Sequence, residues 1–74
     1  MELDARGLSC PLPLLKARAA LAGLAPGETL VVLATDPEAP IDLAALAADE
    51  GLEFSRARDA GGWRLTLTKA PSPG

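Results

Sequence analysis

Trp63-Arg64-Leu65-Thr66-Leu67-Thr68-Lys69 is the stretch from which the architecture can be worked out. In an extended chain Trp63, Leu65 and Leu67 point one way, and Arg64, Thr66 and Thr68 the other. That alternation predicts a strand in a sheet with one apolar face and one wet face. Just upstream, Asp59-Ala60-Gly61-Gly62 carries the turn residues of a hairpin, which makes Leu52 to Arg58 the partner strand. In that partner Leu52 and Phe54 share a parity with Arg56 and Arg58, which predicts a frayed or bulged register. An apolar sheet face must be covered, and in a chain this short the cover has to come from upstream helices.

Pro40 to Glu50 predicts one of these helices, with Ile41, Ala44, Ala45 and Ala48 sharing a face and Gly51 capping its C-terminus. Asp36-Pro37 ahead of it reads as an N-cap followed by a first-turn proline. Glu28 to Ala34 contains Leu30-Val31-Val32-Leu33, a strand covered on both faces or at one end. From Pro11 to about Leu24 the pattern is again helical, with Leu14, Ala17, Leu21 and Leu24 at spacings of three and four. Its early prolines fit a first turn whose N–H groups have no helical acceptor, and Gly23 and Pro26-Gly27 stop it. Glu2 to Ala5 forms a short first strand, and Arg6-Gly7-Leu8-Ser9 turns out of it. The order βαβαββ predicts an α+β fold: a two-layer sandwich of a four-stranded mixed sheet with two helices on one face. Residues 1–69 form one domain, and 70–74 (Ala-Pro-Ser-Pro-Gly) are expected to be a disordered tail.

The 74 residues are 49% apolar but only 3% aromatic, so Leu, Val, Ile and Ala do the packing. A domain of this length buries only about 60% of its unfolded surface and has little volume for a deep pocket. That favours a carrier or binding module over a self-sufficient enzyme. The formal charge is −3, and no basic cluster is interleaved with aromatics, which argues against direct nucleic-acid binding. Apolar runs are too short to span a bilayer, and Met1-Glu2-Leu3-Asp4 does not begin a signal peptide. A cytoplasmic location, where thiols stay reduced, is expected. One cysteine and no histidine exclude an internal disulfide, a CxxC couple, a Cys/His zinc site and a Cys–His or Ser–His–Asp pair within the chain. No metal and no cofactor are expected.

The one cysteine, Cys10, stands before the first predicted helix in Ser9-Cys10-Pro11-Leu12-Pro13. The plain alternative is a buried structural thiol, the commonest fate of a free cysteine. Gly7 and the flanking prolines argue instead for a surface loop. A helix N-terminus favours the thiolate, and Arg6 would add to that field, so the thiol is expected to titrate below the free value of about 8.5. Pro11 and Pro13 stiffen the turn, aim the sulfur and withhold two N–H donors from it. With no base, metal or second thiol in the chain, such a cysteine performs half-reactions with another protein's cysteine. Taking the outer sulfur of a donor's persulfide is one.

Asp4-Ala5-Arg6-Gly7-Leu8-Ser9-Cys10-Pro11-Leu12-Pro13 resembles the signature of TusA/SirA-type sulfur carriers, with its Cys-Pro-x-Pro core. Pro26-Gly27-Glu28 before the second strand and Asp36-Pro37 after it extend the resemblance from Leu3 to Lys69. The resemblance implies a sulfurtransferase-type carrier that accepts sulfane sulfur as a persulfide on Cys10 from a cysteine desulfurase or a rhodanese. It implies hand-over to a downstream acceptor protein serving tRNA thiolation, molybdenum-cofactor synthesis or sulfur oxidation. Arg6, Gly7, Pro11, Pro13, Asp36 and Pro37 are the supporting or partner-facing candidates. Some members carry an Arg-Asp pair early in the second helix, where this chain has Ile41-Asp42, so a partner contact of that arginine is altered here. Two other readings compete: a redox- or haem-responsive module using the Cys-Pro thiolate, and an interaction domain with an inert cysteine.

Overall fold

Leu30 and Val32 lie directly opposite Leu67 and Leu65 on neighbouring strands, and all four are fully buried. They form the floor of the core. In the computed structural model, which describes residues 1–70, that floor belongs to the order β1 (Glu2–Asp4), α1 (Leu12–Ala22), β2 (Thr29–Ala34), α2 (Ala39–Glu50), β3 (Glu53–Asp59) and β4 (Gly62–Thr68). β1 runs parallel to β2, whose crossover is α1, and β4 returns antiparallel between β2 and β3. The sheet order is therefore β1-β2-β4-β3. Both helices lie on the face carrying Leu30, Val32, Leu65 and Leu67 and contribute Ala17, Leu21, Leu43 and Leu46 to the same core. This is the four-stranded mixed sheet with two helices on one face that the alternation at 63–69 implied. Expected residues 71–74 of the tail lie outside the described residues.

β4 shows the plainest alternation because it is central: it is hydrogen-bonded on both edges and covered on one face only. On the open face the hydroxyls of Thr29 and Thr68 meet at 3.1 Å. Leu33, opposite Arg64, is buried near the end of β2, so the apolar run is covered at one end. Trp63 is half-buried against the core.

Three expectations need correction. β3 pairs residue for residue with β4 from Glu53↔Thr68 to Asp59↔Gly62, with neither fraying nor a bulge. It is an edge strand, and Arg56 and Arg58 stay exposed on the face shared with Phe54. Long stems allow this, and the Arg58 guanidinium lies 5.8 Å from the centre of the Trp63 ring. α1 begins at Leu12 and ends at Ala22, with Gly23 as its cap, shorter than expected; of the expected face Ala17, Leu21 and Leu24 are buried and Leu14 packs half-buried against the core, and Pro13 is buried too.

The third correction concerns α2. Its inward residues are Ala39, Pro40, Leu43, Leu46 and Ala47, whereas Ile41 is 66% exposed and Ala45 and Ala48 face out. A helix this rich in alanine gives several nearly equivalent faces. The two leucines decide among them, because each buries far more apolar area than an alanine. The corrected face is testable: Leu43→Ala should cost about 2–5 kcal/mol in denaturant unfolding, whereas Ile41→Ala should stay within about 0.5 kcal/mol. Equal costs would contradict the orientation. Gly51 takes the left-handed C-cap expected of it, with φ 68°.

Candidate functional site

Because β1 and β2 are parallel, their C-terminal ends share one edge of the sheet, and the chain leaves both strands there. The loop into α1 therefore lies beside the loop into α2. Two hydrogen bonds join them. The Gly7 N–H donates to Thr35 Oγ1 at 2.9 Å, and the Cys10 N–H donates to Asp36 Oδ2 at 2.9 Å. Gly7 sits at φ 80°, a left-handed conformation that strains any residue with a Cβ. A glycine is thus required for the turn that brings residues 8–10 across.

Asp36 was expected to cap α2, and it does something else. Its Oδ1 accepts from the Glu38 N–H at 2.8 Å and its carbonyl from the Ala39 N–H at 3.0 Å, a turn that precedes the helix. The helix starts at Ala39 after Glu38, which makes no side-chain cap bond, and Pro40 takes the first-turn position assigned to Pro37. Pro37 stays in the exposed turn. Asp36 is chiefly a tether: the backbone N–H groups of Glu38 and Cys10 hold its carboxyl below the ordinary carboxylate value.

Cys10 is exposed, so the buried structural alternative is set aside. Its Sγ–H donates to Asp42 Oδ2 at 3.2 Å, in the first turn of α2. The thiol is pushed up to about 11, first by the hydrogen bond to Asp42, then by desolvation and by a hydrogen bond to Glu38, with both negative charges adding. Against the expected lowering, the two carboxylates push the thiol upward. Arg6 offers the sulfur no compensation. Its Nε and Nη2 each donate at 2.9 Å to Asp4, whose carboxyl it holds at about 2. Arg6 and Asp4 thus form an exposed pair of their own, apart from the Gly7, Cys10 and Asp36 group.

The two prolines separate in role. Pro11 is the exposed N-cap residue after a cis Cys10–Pro11 peptide, whereas Pro13 is buried against the core. Pro13 was expected to stiffen the turn and aim the sulfur; its burial gives it packing as well. Pro13→Ala should therefore lower unfolding stability by about 1–2 kcal/mol, measured by denaturant. No loss of stability would contradict the packing role.

Sequence reasoning missed Thr35, Glu38 and Asp42 as neighbours of the cysteine. Their signal lay in the βαβ order, which sets the starts of both helices side by side. Cys10 Sγ and one carboxylate oxygen from each of Glu38 and Asp42 fall within 4.8 Å of one another. The thiol hydrogen bond accounts for that approach without a cation. A cavity of about 450 Å³ lies at the far ends of the helices, lined by Arg18, Leu21, Glu50, Gly51 and Lys69 among others, and does not include Cys10. Among the described residues no helix is long and apolar enough to cross a membrane.

The site is thus a lone exposed thiol on a tethered loop. The family described as sulfurtransferase TusA matches residues 1–69. The chain belongs to the TusA family of sulfur carriers. It is 44% identical over 61 residues to the sulfur carrier protein TusA of Allochromatium vinosum, covering 82% of this chain and 80% of that one. It is 39% identical over 59 residues to the putative sulfur carrier protein YrkI of Bacillus subtilis, covering 80% and 79%. Among solved structures, a SirA-like protein from Desulfitobacterium hafniense superimposes with a TM-score of 0.85 at 28% identity, over 93% of this chain and 96% of that one. Family membership supports a role as sulfur carrier and, in general terms, dealings with sulfur donors and acceptors. At the position where the resemblance led one to look for arginine, Ile41 is exposed beside Asp42.

Proposed function

We propose that this TusA-family protein carries sulfane sulfur as a persulfide on Cys10, taken from a cysteine desulfurase or rhodanese-type donor and passed to an acceptor protein in the cytoplasm. The observation that carries the reading is the exposure of the chain's one cysteine on a loop held at Gly7 and Cys10. A thiol in that position reaches another protein's persulfide without any pocket, and the tethers limit the loop's freedom. Ordering the loop beforehand lowers the entropy cost of a productive encounter. The 1–69 domain acts as a unit in half-reactions, and its acceptors are the relays of tRNA thiolation, molybdenum-cofactor synthesis or sulfur oxidation.

The test is incubation with a cysteine desulfurase and cysteine labelled in its sulfur. Label should appear on the protein in at most one copy per chain and be released by a thiol reductant. Label that survives reduction, or no label under conditions where a known TusA protein accepts it, would overturn the proposal.

A further inference from the structure

The charged groups facing the Cys10 sulfur are anions. Asp42 Oδ2 accepts the thiol hydrogen at 3.2 Å, and Glu38 brings a second carboxylate oxygen within 4.8 Å of the sulfur. Asp36, on the adjoining loop, spends its oxygens on the N–H groups of Cys10 and Glu38. Arg6, on the loop that carries Cys10, is closed onto Asp4. A site built to hold an anionic cargo tightly would set cations or N–H donors around the sulfur, and this one does the opposite.

We propose that Asp42, together with Glu38, is a positioning residue that sets how tightly the carrier holds its sulfur: it favours the empty Cys10 thiol over the loaded persulfide, so that sulfur is held loosely and leaves readily. This rests on the reading of Cys10 as the persulfide-bearing residue. In loading, Cys10–SH and a donor R–S–SH become Cys10–S–SH and R–SH. The Cys10 sulfur bonds to the donor's outer sulfur, and the donor's S–S bond breaks. Its electron pair stays on the donor's inner sulfur, which takes up the proton that Cys10 gives up, with no net oxidation. A persulfide is a stronger acid than its parent thiol, so near neutral pH the empty state is a neutral S–H donor and the loaded state is largely an anion. Asp42 accepts a hydrogen bond from the first and repels the second. The upward push on the thiol, to about 11, is the same preference seen on the empty side.

The test equilibrates wild type, Asp42→Asn and Glu38→Gln with glutathione persulfide at a fixed ratio to glutathione. The loaded fraction is read by intact mass after alkylation, and the thiol midpoint by thiolate absorbance against pH. Asp42→Asn should raise the loaded-to-empty ratio near pH 7 on the order of tenfold and lower the thiol midpoint by about one unit or more. The gain in loading should shrink as pH falls and the persulfide becomes protonated. Glu38→Gln should move both readouts the same way by less, and it carries the test if Asp42→Asn fails to fold. An Asp42 that serves structure alone would leave the thiol midpoint and the pH dependence unmoved. An unchanged or lower loaded fraction in folded variants overturns the proposal. Failure of the wild type to gain any sulfur overturns instead the reading of Cys10 as the carrier.

Discussion

Cys10→Ser should abolish sulfur acceptance and leave the fold intact. The side chain is exposed, and its hydrogen bond to Asp42 lies at the surface. A serine hydroxyl can make the same bond, and the main-chain tether to Asp36 does not involve the side chain. Thermal unfolding should therefore change by no more than about 0.5 kcal/mol, the usual range for a surface substitution. The loss of transfer should be total, because the chain has no second thiol to take over. Comparing label uptake from a desulfurase with thermal melting, on one preparation of each protein, separates the two effects. Reductant-labile label on the serine variant would show that Cys10 is not the acceptor.

A large effect on stability is expected from a residue with no side chain. Gly62 is buried at the start of β4, and a methyl group there would collide with the Ala34 carbonyl oxygen and crowd Thr35 Cγ2 at 3.1 Å. The collision is with backbone, which cannot rotate aside. Gly62→Ala should cost about 3 kcal/mol, the upper range for overpacking, and lower the Tm of a chain this size by roughly 10–20 °C. Gly23→Ala is the control. The nearest atom to its added methyl is the Ala20 carbonyl oxygen at 3.9 Å, an ordinary contact, so its effect should stay within about 0.5 kcal/mol. Gly62→Ala should also touch function, since Thr35 holds the Gly7 N–H and a shifted Thr35 loosens the cysteine loop. Equal melting of the two variants would contradict the close approach of β4 to the end of β2.

What the sequence made legible was what periodicity and turn chemistry encode. The alternation at Trp63, Leu65 and Leu67 led to a sheet with one covered face, and the element order led to the sandwich. The Cys-Pro-x-Pro stretch led to the family. The inward face of α2 was not legible, because alanines at 44, 45 and 48 imitate an apolar stripe that Leu43 and Leu46 override. Nor was the role of Asp36. Its identity and its place before a proline fit a helix cap, and only the position of Cys10 across the loop turns it into a tether. The sign of the thiol's shift failed for a related reason. A helix terminus is a local feature visible in the chain, whereas Asp42 lies 32 residues away and reaches the sulfur only through the parallel pairing of β1 and β2. Arg6, close in sequence, is taken by Asp4. For Asp36 and for the thiol, a long-range contact overrode a sound local rule.

The central claim is that sulfur rides on Cys10, and intact-mass analysis with peptide mapping tests it most directly. The protein is exposed to a sulfane-sulfur donor, freed of excess reagent and measured before and after treatment with a thiol reductant. The account predicts a gain of one sulfur atom, confined to the peptide containing Cys10 and lost on reduction. No gain in mass, a gain mapped to another peptide, or one that resists the reductant would contradict it.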